Sequence, residues 1–183
     1  DDENDYTPDS IFPNNWVSFH QNGDVGLFPM YAKNRRLERR PEVLEFLESE
    51  GFTISNIVDY SSAESENKFL EGTGSMILDR ENRIAYCSIS NRSNEDLFIE
   101  FCEDFEFNPV IFNSFQSVGD KRLPIYHTNV MMCVATDYVI ICLDSIDDKK
   151  QRKNVSNFII ESGKKLIEIS EKQVESFAGN MLE

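Results

Sequence analysis

Three short segments of the chain open three similar hairpins, and this repetition restricts the fold more than any other feature. The segments are Phe12-Pro-Asn-Asn-Trp16, Phe69-Leu-Glu-Gly-Thr73 and Tyr126-His-Thr-Asn129. Asn15, Glu71 and His127 stand 56 residues apart (71 − 15 and 127 − 71). A period of that length marks one supersecondary unit used several times. If the units share an axis, the first strand of each would deliver one polar side chain to a common centre, as a polar active site requires.

Each round reads as hairpin, helix, strand. Val17 to Phe28 flanks Gln21-Asn-Gly-Asp24, an Asn-Gly turn signal. Leu37, Leu44 and Leu47 then share a helical face within Arg36 to Glu50. Pro41 suits a first turn, Gly51 stops the helix, and Thr53 to Val58 returns as a strand. The second round takes Ser75–Leu78 and Ile84–Ser88 as hairpin, Asn94–Phe105 as helix with Asn94 as N-cap, and Val110–Phe115 as strand. The third takes Val130–Val134, Tyr138–Leu143, a helix from Asp147 to Ser162, and Leu166–Ile169. Ser170 caps a last helix, Glu171–Phe177. Strands such as Val130–Val134 are apolar on both faces and call for cover on both. The polar stretches Ser61–Asn67 and Gln116–Arg122 read as surface loops. The fold class is α/β, a single domain over residues 1–183 built of ββαβ units at about 10–60, 68–116 and 125–170.

Composition excludes several functions. A net charge of −15 opposes nucleic acid and anionic membrane as partners, since both need a positive surface. No apolar run approaches the roughly 20 residues that span a bilayer. Cys87, Cys102, Cys133 and Cys142 show no CxxC spacing, so a zinc site or disulfide framework is not expected. Free thiols fit a reducing, cytoplasmic setting. The start Asp-Asp-Glu-Asn-Asp is no initiation site, and the chain is expected to be a piece of a longer protein.

The strings FPNNWVSF, NRRLERRPE, FLEGTGSM, SNRSNED, YHTNVMM and FAGNMLE resemble the guanidino-group modifying (pentein) superfamily, and within it the citrulline-utilisation hydrolases. Arginine deiminase, dimethylargininase and the amidinotransferases are related. The resemblance implies an α/β propeller of five ββαβ units, about three of them present here. It also implies a nucleophilic cysteine near the family's C terminus, in a position that none of the four cysteines matches.

The same resemblance assigns roles. His127 is similar to the family's general acid/base, a task that an imidazole of unperturbed pKa near 6.5 suits. Glu71 resembles the Glu of an EGGD string and would orient His127. Here the string reads Glu-Gly-Thr-Gly, so the substrate-contacting Asp is replaced by Gly74, and Gly72 and Gly74 would let the backbone approach a ligand. Asn15 and Asn129 stand where members acting on guanidino groups carry Asp. Two carboxylates suit a guanidinium; two amides suit a neutral ureido group, which both accepts and donates. Arg35, Arg36 and Arg92 resemble the arginines that grip the substrate's α-carboxylate. Arg39 and Arg40 read as a surface cluster, and His20 as solvated beside its turn.

The implied reaction is hydrolysis of the ureido C–N bond of citrulline to ornithine, ammonia and carbon dioxide, by a cysteine absent from this chain. A guanidino deiminase or amidinotransferase is the alternative, and a non-catalytic binding module of the same architecture is a second. The expected partner is a small amino-acid substrate, with no metal or organic cofactor. A homo-oligomer is compatible with the sequence.

Overall fold

A computed structural model describes residues 7–181. The Asp-Asp-Glu-Asn-Asp start and the last two residues of FAGNMLE lie outside the described residues. The chain forms two compact units, residues 1–72 and 73–183.

The first unit holds one ββαβ repeat. A single 3-10 turn, Pro13–Asn15, leads into β1 (Val17–Phe19), which pairs antiparallel with β2 (Asp24–Leu27). Helix α1 (Pro41–Ser49) crosses over, and β3 (Asn56–Asp59) returns parallel to β2. The regular helix starts at Pro41, as the proline demanded, and the periodic stretch before it is not part of it. Lys33–Glu38 forms a separate 3-10 helix, because Pro41 cannot donate to a preceding turn, and Leu37 is exposed instead of joining the core face. Trp16, Val17, Val25, Met30 and Leu44 form the core of this unit. Ser61–Glu66, predicted as a loop, is a 3-10 helix ended by a left-handed Asn67.

The second unit holds two repeats of the same order. One helical turn, α2 (Gly72–Ser75), precedes β4 (Met76–Asp79) and β5 (Ile84–Ser88); α3 (Glu95–Asp104) follows, and β6 (Asn108–Phe112) lies parallel to β5. The Asn94 side chain accepts from Leu97 N–H and caps α3. Leu97, Phe98, Phe101 and Cys102 make its buried stripe. Each fully buried side chain of this size contributes about 1.5–3 kcal/mol. The segment predicted as a loop at Gln116–Arg122 is a hairpin, β7 (Phe115–Val118) with β8 (Lys121–Pro124). The last repeat is a 3-10 turn, Thr128–Val130, then β9 (Met132–Val134), β10 (Tyr138–Ile141), α4 (Lys149–Glu161) and β11 (Lys165–Glu168). Here β10 is again central, antiparallel to β9 and parallel to β11. Asp148 caps α4, and a Ser170/Gln173 capping box opens α5 (Glu171–Val174). The core of this unit runs from Tyr86 and Phe112 through Met131 and Ile141 to Val155 and Ile159 on α4.

Candidate active site

A short helical turn precedes the first strand of every repeat; Asn15 and Asn129 lie within it, and Glu71 and His127 stand just before it. Their register differs from the equal spacing in sequence. Glu71 and His127 each stand five residues before their strand (76 − 71 and 132 − 127), whereas Asn15 stands two before Val17. The residue five before Val17 is Phe12. Asn14, three before its strand, shares the register of Asn129 (17 − 14 and 132 − 129) and is half-buried like it. The equal interval to Asn15 is thus a coincidence of loop lengths, and Asn14 is the amide that counting from the strand would have found.

In the first unit Glu71 is fully buried, and its Oε1 accepts from the N–H of Tyr31 at 2.9 Å. Gly72 has φ +44°, and a Cβ there would lie 2.2 Å from the carbonyl oxygen of Asn14. The glycine therefore admits protein backbone, where the sequence suggested room for a ligand. Asn15 is buried beside it, with its own carbonyl 3.1 Å from that Cβ position. Arg35 is buried and forks onto Glu38, with Nε and Nη2 donating at 2.9 and 3.0 Å. Arg36 donates from Nε to the Met30 carbonyl at 2.9 Å, lies 3.4 Å from Glu64, and rests on the Phe69 ring. Arg39 is no free surface charge: it pairs with Glu64 at 2.6 Å and donates to the Phe28 carbonyl. Glu64, which also accepts from Met30 N–H at 2.8 Å, was hidden in a stretch read as a loop. His20 is buried, not solvated, and its Nε2 pairs with the Ser18 hydroxyl at 3.0 Å.

In the second unit His127 is buried at the head of its turn in extended conformation, and its carbonyl accepts from Val130 N–H at 3.2 Å. The Tyr126 ring lies 4.9 Å from the imidazole, and the Arg92 guanidinium lies over that ring at 5.0 Å. Arg92, Tyr126 and His127 thus form one neighbourhood, with Asn129 in the turn that follows His127. Tyr126 is half-exposed and was missed in sequence, although it adjoins the histidine. Gly179 of FAGNMLE packs on the same turn; a Cβ there would fall 2.7 Å from the Val130 carbonyl oxygen.

The four cysteines are free and buried. Burial, with Cys102 nearby, drives the Cys87 thiol far up, and burial pushes Cys102 up to about 12. Burial also raises Cys133, against hydrogen bonds from the Ile140 and Met181 backbone. A thiol so raised is a poor nucleophile at neutral pH. Among the described residues no cluster of three His, Cys, Asp or Glu could hold a metal ion, and no helix is long and apolar enough to cross a membrane. A cavity of about 280 Å³ beneath the β7–β8 hairpin, lined by Ser117, Ser145, Glu171 and Glu175 among others, contains none of the predicted site residues.

The family described as "N,N dimethylarginine dimethylhydrolase, eukaryotic" matches residues 1–183. The chain belongs to this family. Membership places it in the guanidino-group modifying superfamily. No protein of curated function matches the sequence. Among solved structures, it is similar to ArgZ, an arginine dihydrolase from the ornithine–ammonia cycle in Cyanobacteria, with 21% identity, TM-score 0.72, all of this chain covered and 26% of that one. It is similar to a mutant of AgrE in binary complex with L-arginine, with 22% identity, TM-score 0.70, and 96% and 24% of the two chains covered. A dimethylargininase from Pseudomonas aeruginosa complexed with citrulline gives 12% identity, TM-score 0.53, and coverage of 93% and 72%. These likenesses show the fold. The chain spans about a quarter of the length of ArgZ and AgrE.

Proposed function

We propose that the protein of which this chain forms part hydrolyses a C–N bond at the terminal carbon of a guanidino or ureido amino acid, and that its substrate is citrulline. Family membership across residues 1–183 supports the reaction class. The observation that carries the substrate is the chemistry of Asn15 and Asn129. Amides replace the carboxylates that would neutralise a guanidinium, and they match the carbonyl and N–H groups of a urea. Asn14, in the register of Asn129, adds a third amide of the same kind.

In this reading a cysteine thiolate from outside residues 1–183 attacks the ureido carbon. His127 protonates the departing amine of ornithine. The carbamoyl thioester that remains takes up water, deprotonated by His127, and yields ammonia, carbon dioxide and the free thiol. Glu71 is the carboxylate of the machinery, and Arg92 meets the α-carboxylate. Arg35 and Arg36, already engaged with Glu38, Met30 and Glu64, are assigned to hold the Arg35–Arg40 segment in place. A guanidinium substrate is the second reading, favoured by the family's own description.

Full-length protein incubated separately with citrulline, arginine and N,N-dimethylarginine decides between them. The expected result is ornithine and ammonia from citrulline at the highest kcat/KM, reduced about 10²–10⁴-fold by His127→Ala. Citrulline accumulating from either guanidino compound would overturn the substrate assignment.

A further inference from the structure

Thr128 stands between His127 and Asn129 and is fully buried. Its hydroxyl donates to the Ser75 carbonyl, at the end of α2, and accepts from the N–H of Ser88, at the end of β5, at 2.8 Å. The Ser75 hydroxyl in turn donates to the Arg92 carbonyl at 2.6 Å. Arg92 N–H donates to the Ser90 hydroxyl at 3.1 Å, and that hydroxyl donates to the Tyr126 carbonyl at 2.8 Å. The residues on both sides of His127 are therefore tied, through three hydroxyls, to the loop that carries Arg92.

The repeat itself does not require this arrangement. Four residues before the first strand, the other two copies carry Pro13 and Gly72 (17 − 13, 76 − 72 and 132 − 128). Neither has a side-chain hydroxyl, yet both turns form. The hydroxyl belongs only to the copy that bears the histidine. Buried, directional bonds of this kind fix an orientation more narrowly than apolar contact does, and leaving one partner unmade is costly.

We infer that Thr128 and Ser75 are positioning residues that hold His127 and Arg92 in one frame, Thr128 acting on the acid/base and Ser75 on the carboxylate grip. The inference rests on the roles proposed above for His127 and Arg92. Misplacing a catalytic group by about 1 Å costs on the order of 100-fold in rate.

The test uses full-length protein carrying Thr128→Val, Thr128→Ser or Ser75→Ala, with steady-state kinetics and an NMR titration of the His127 imidazole, assigned by its loss in His127→Ala. Thr128→Val keeps the shape and loses both bonds; Thr128→Ser keeps both bonds and loses a methyl. The expected result is kcat about 100-fold lower with little change in KM for Thr128→Val, and recovery to within a few-fold for Thr128→Ser. Ser75→Ala is expected to raise KM about tenfold with kcat nearly unchanged. The His127 titration midpoint moves in Thr128→Val and not in Thr128→Ser. Equal kinetics and equal titrations in the two Thr128 variants would overturn the inference. Should Thr128→Val not fold, Ser75→Ala decides: raised KM supports the frame, and wild-type kcat and KM overturn it. If the wild-type protein turns over none of the three substrates, the proposed function fails by itself, and the His127 titration still decides the frame.

Discussion

Gly72 is the residue on which the placement of Glu71 depends. Its φ of +44° is one that side-chain-bearing residues rarely adopt, and the Asn14 carbonyl oxygen occupies the space a methyl would need. Gly72→Ala is expected to cost about 2–4 kcal/mol, since strain and clash add, and to appear as a lowered midpoint in urea unfolding. Gly51→Ala, where the space around a Cβ is open, should cost less despite its positive φ. At this scale the sequence offered candidate residues and not their partners. Arg35 was recognisable as an arginine that binds a carboxylate, and the Arg-x-x-Glu string already contained that carboxylate, Glu38. Glu64 could not be found, because its partners Arg36 and Arg39 lie about 25 residues away and only folding brings them together.

Among the elements, the amphipathic ones were legible and the polar one was not. Helices α3 and α4 combine an N-cap with a buried stripe, and strands β9 and β10 are continuous apolar runs, so local pattern and final structure agree. The β7–β8 hairpin has no such pattern; β8 is exposed along its whole length. What holds it down is charge: Arg122 pairs with Asp147 and Glu171, and Ser117 N–H donates to Glu171 at 3.0 Å. Burial alone would raise the Glu171 pKa, but the hydrogen bonds from Arg122 and Ser117 outweigh it and bring the group below its usual 4.5. A depressed folded-state pKa gives stability that is present above the unfolded value and lost as pH falls through the folded one. Glu171→Gln should therefore lower Tm modestly at pH 7, by no more than about 1 kcal/mol of stability. The difference from wild type should shrink as pH falls below about 4. A Tm difference that stays constant from pH 7 to pH 3 would contradict the latch. The hairpin's sequence did carry one signal, Gly119 followed by Asp120, and Gly119 indeed has positive φ at the turn.

At the level of the whole molecule, the repeated ββαβ order emerged correctly from turn signals and alternating patterns, and each of the three-stranded sheets places the second strand of the hairpin at the centre. The division into units at Gly72 and Thr73 was not legible, since it depends on which repeats share a core, and 18 buried residues of the second and third repeats share one. The four cysteines all lie in the second unit and report on its packing. Cys87 and Cys142 are fully shielded, and Cys102 and Cys133 nearly so. Brief alkylation of native protein, read by mass spectrometry, should leave all four unmodified, with full labelling only in denaturant. Rapid labelling of Cys87 in the native state would show that the second unit opens far more readily than its packing implies.

The position five residues before the first strand is a phenylalanine in one copy, an acid in the next and a base in the third, each just ahead of a short helical turn of its own geometry. Glu71 and His127 are buried there and Phe12 is half-exposed, so each copy accommodates its occupant with its own neighbours, Gly72 in one and Thr128 in another.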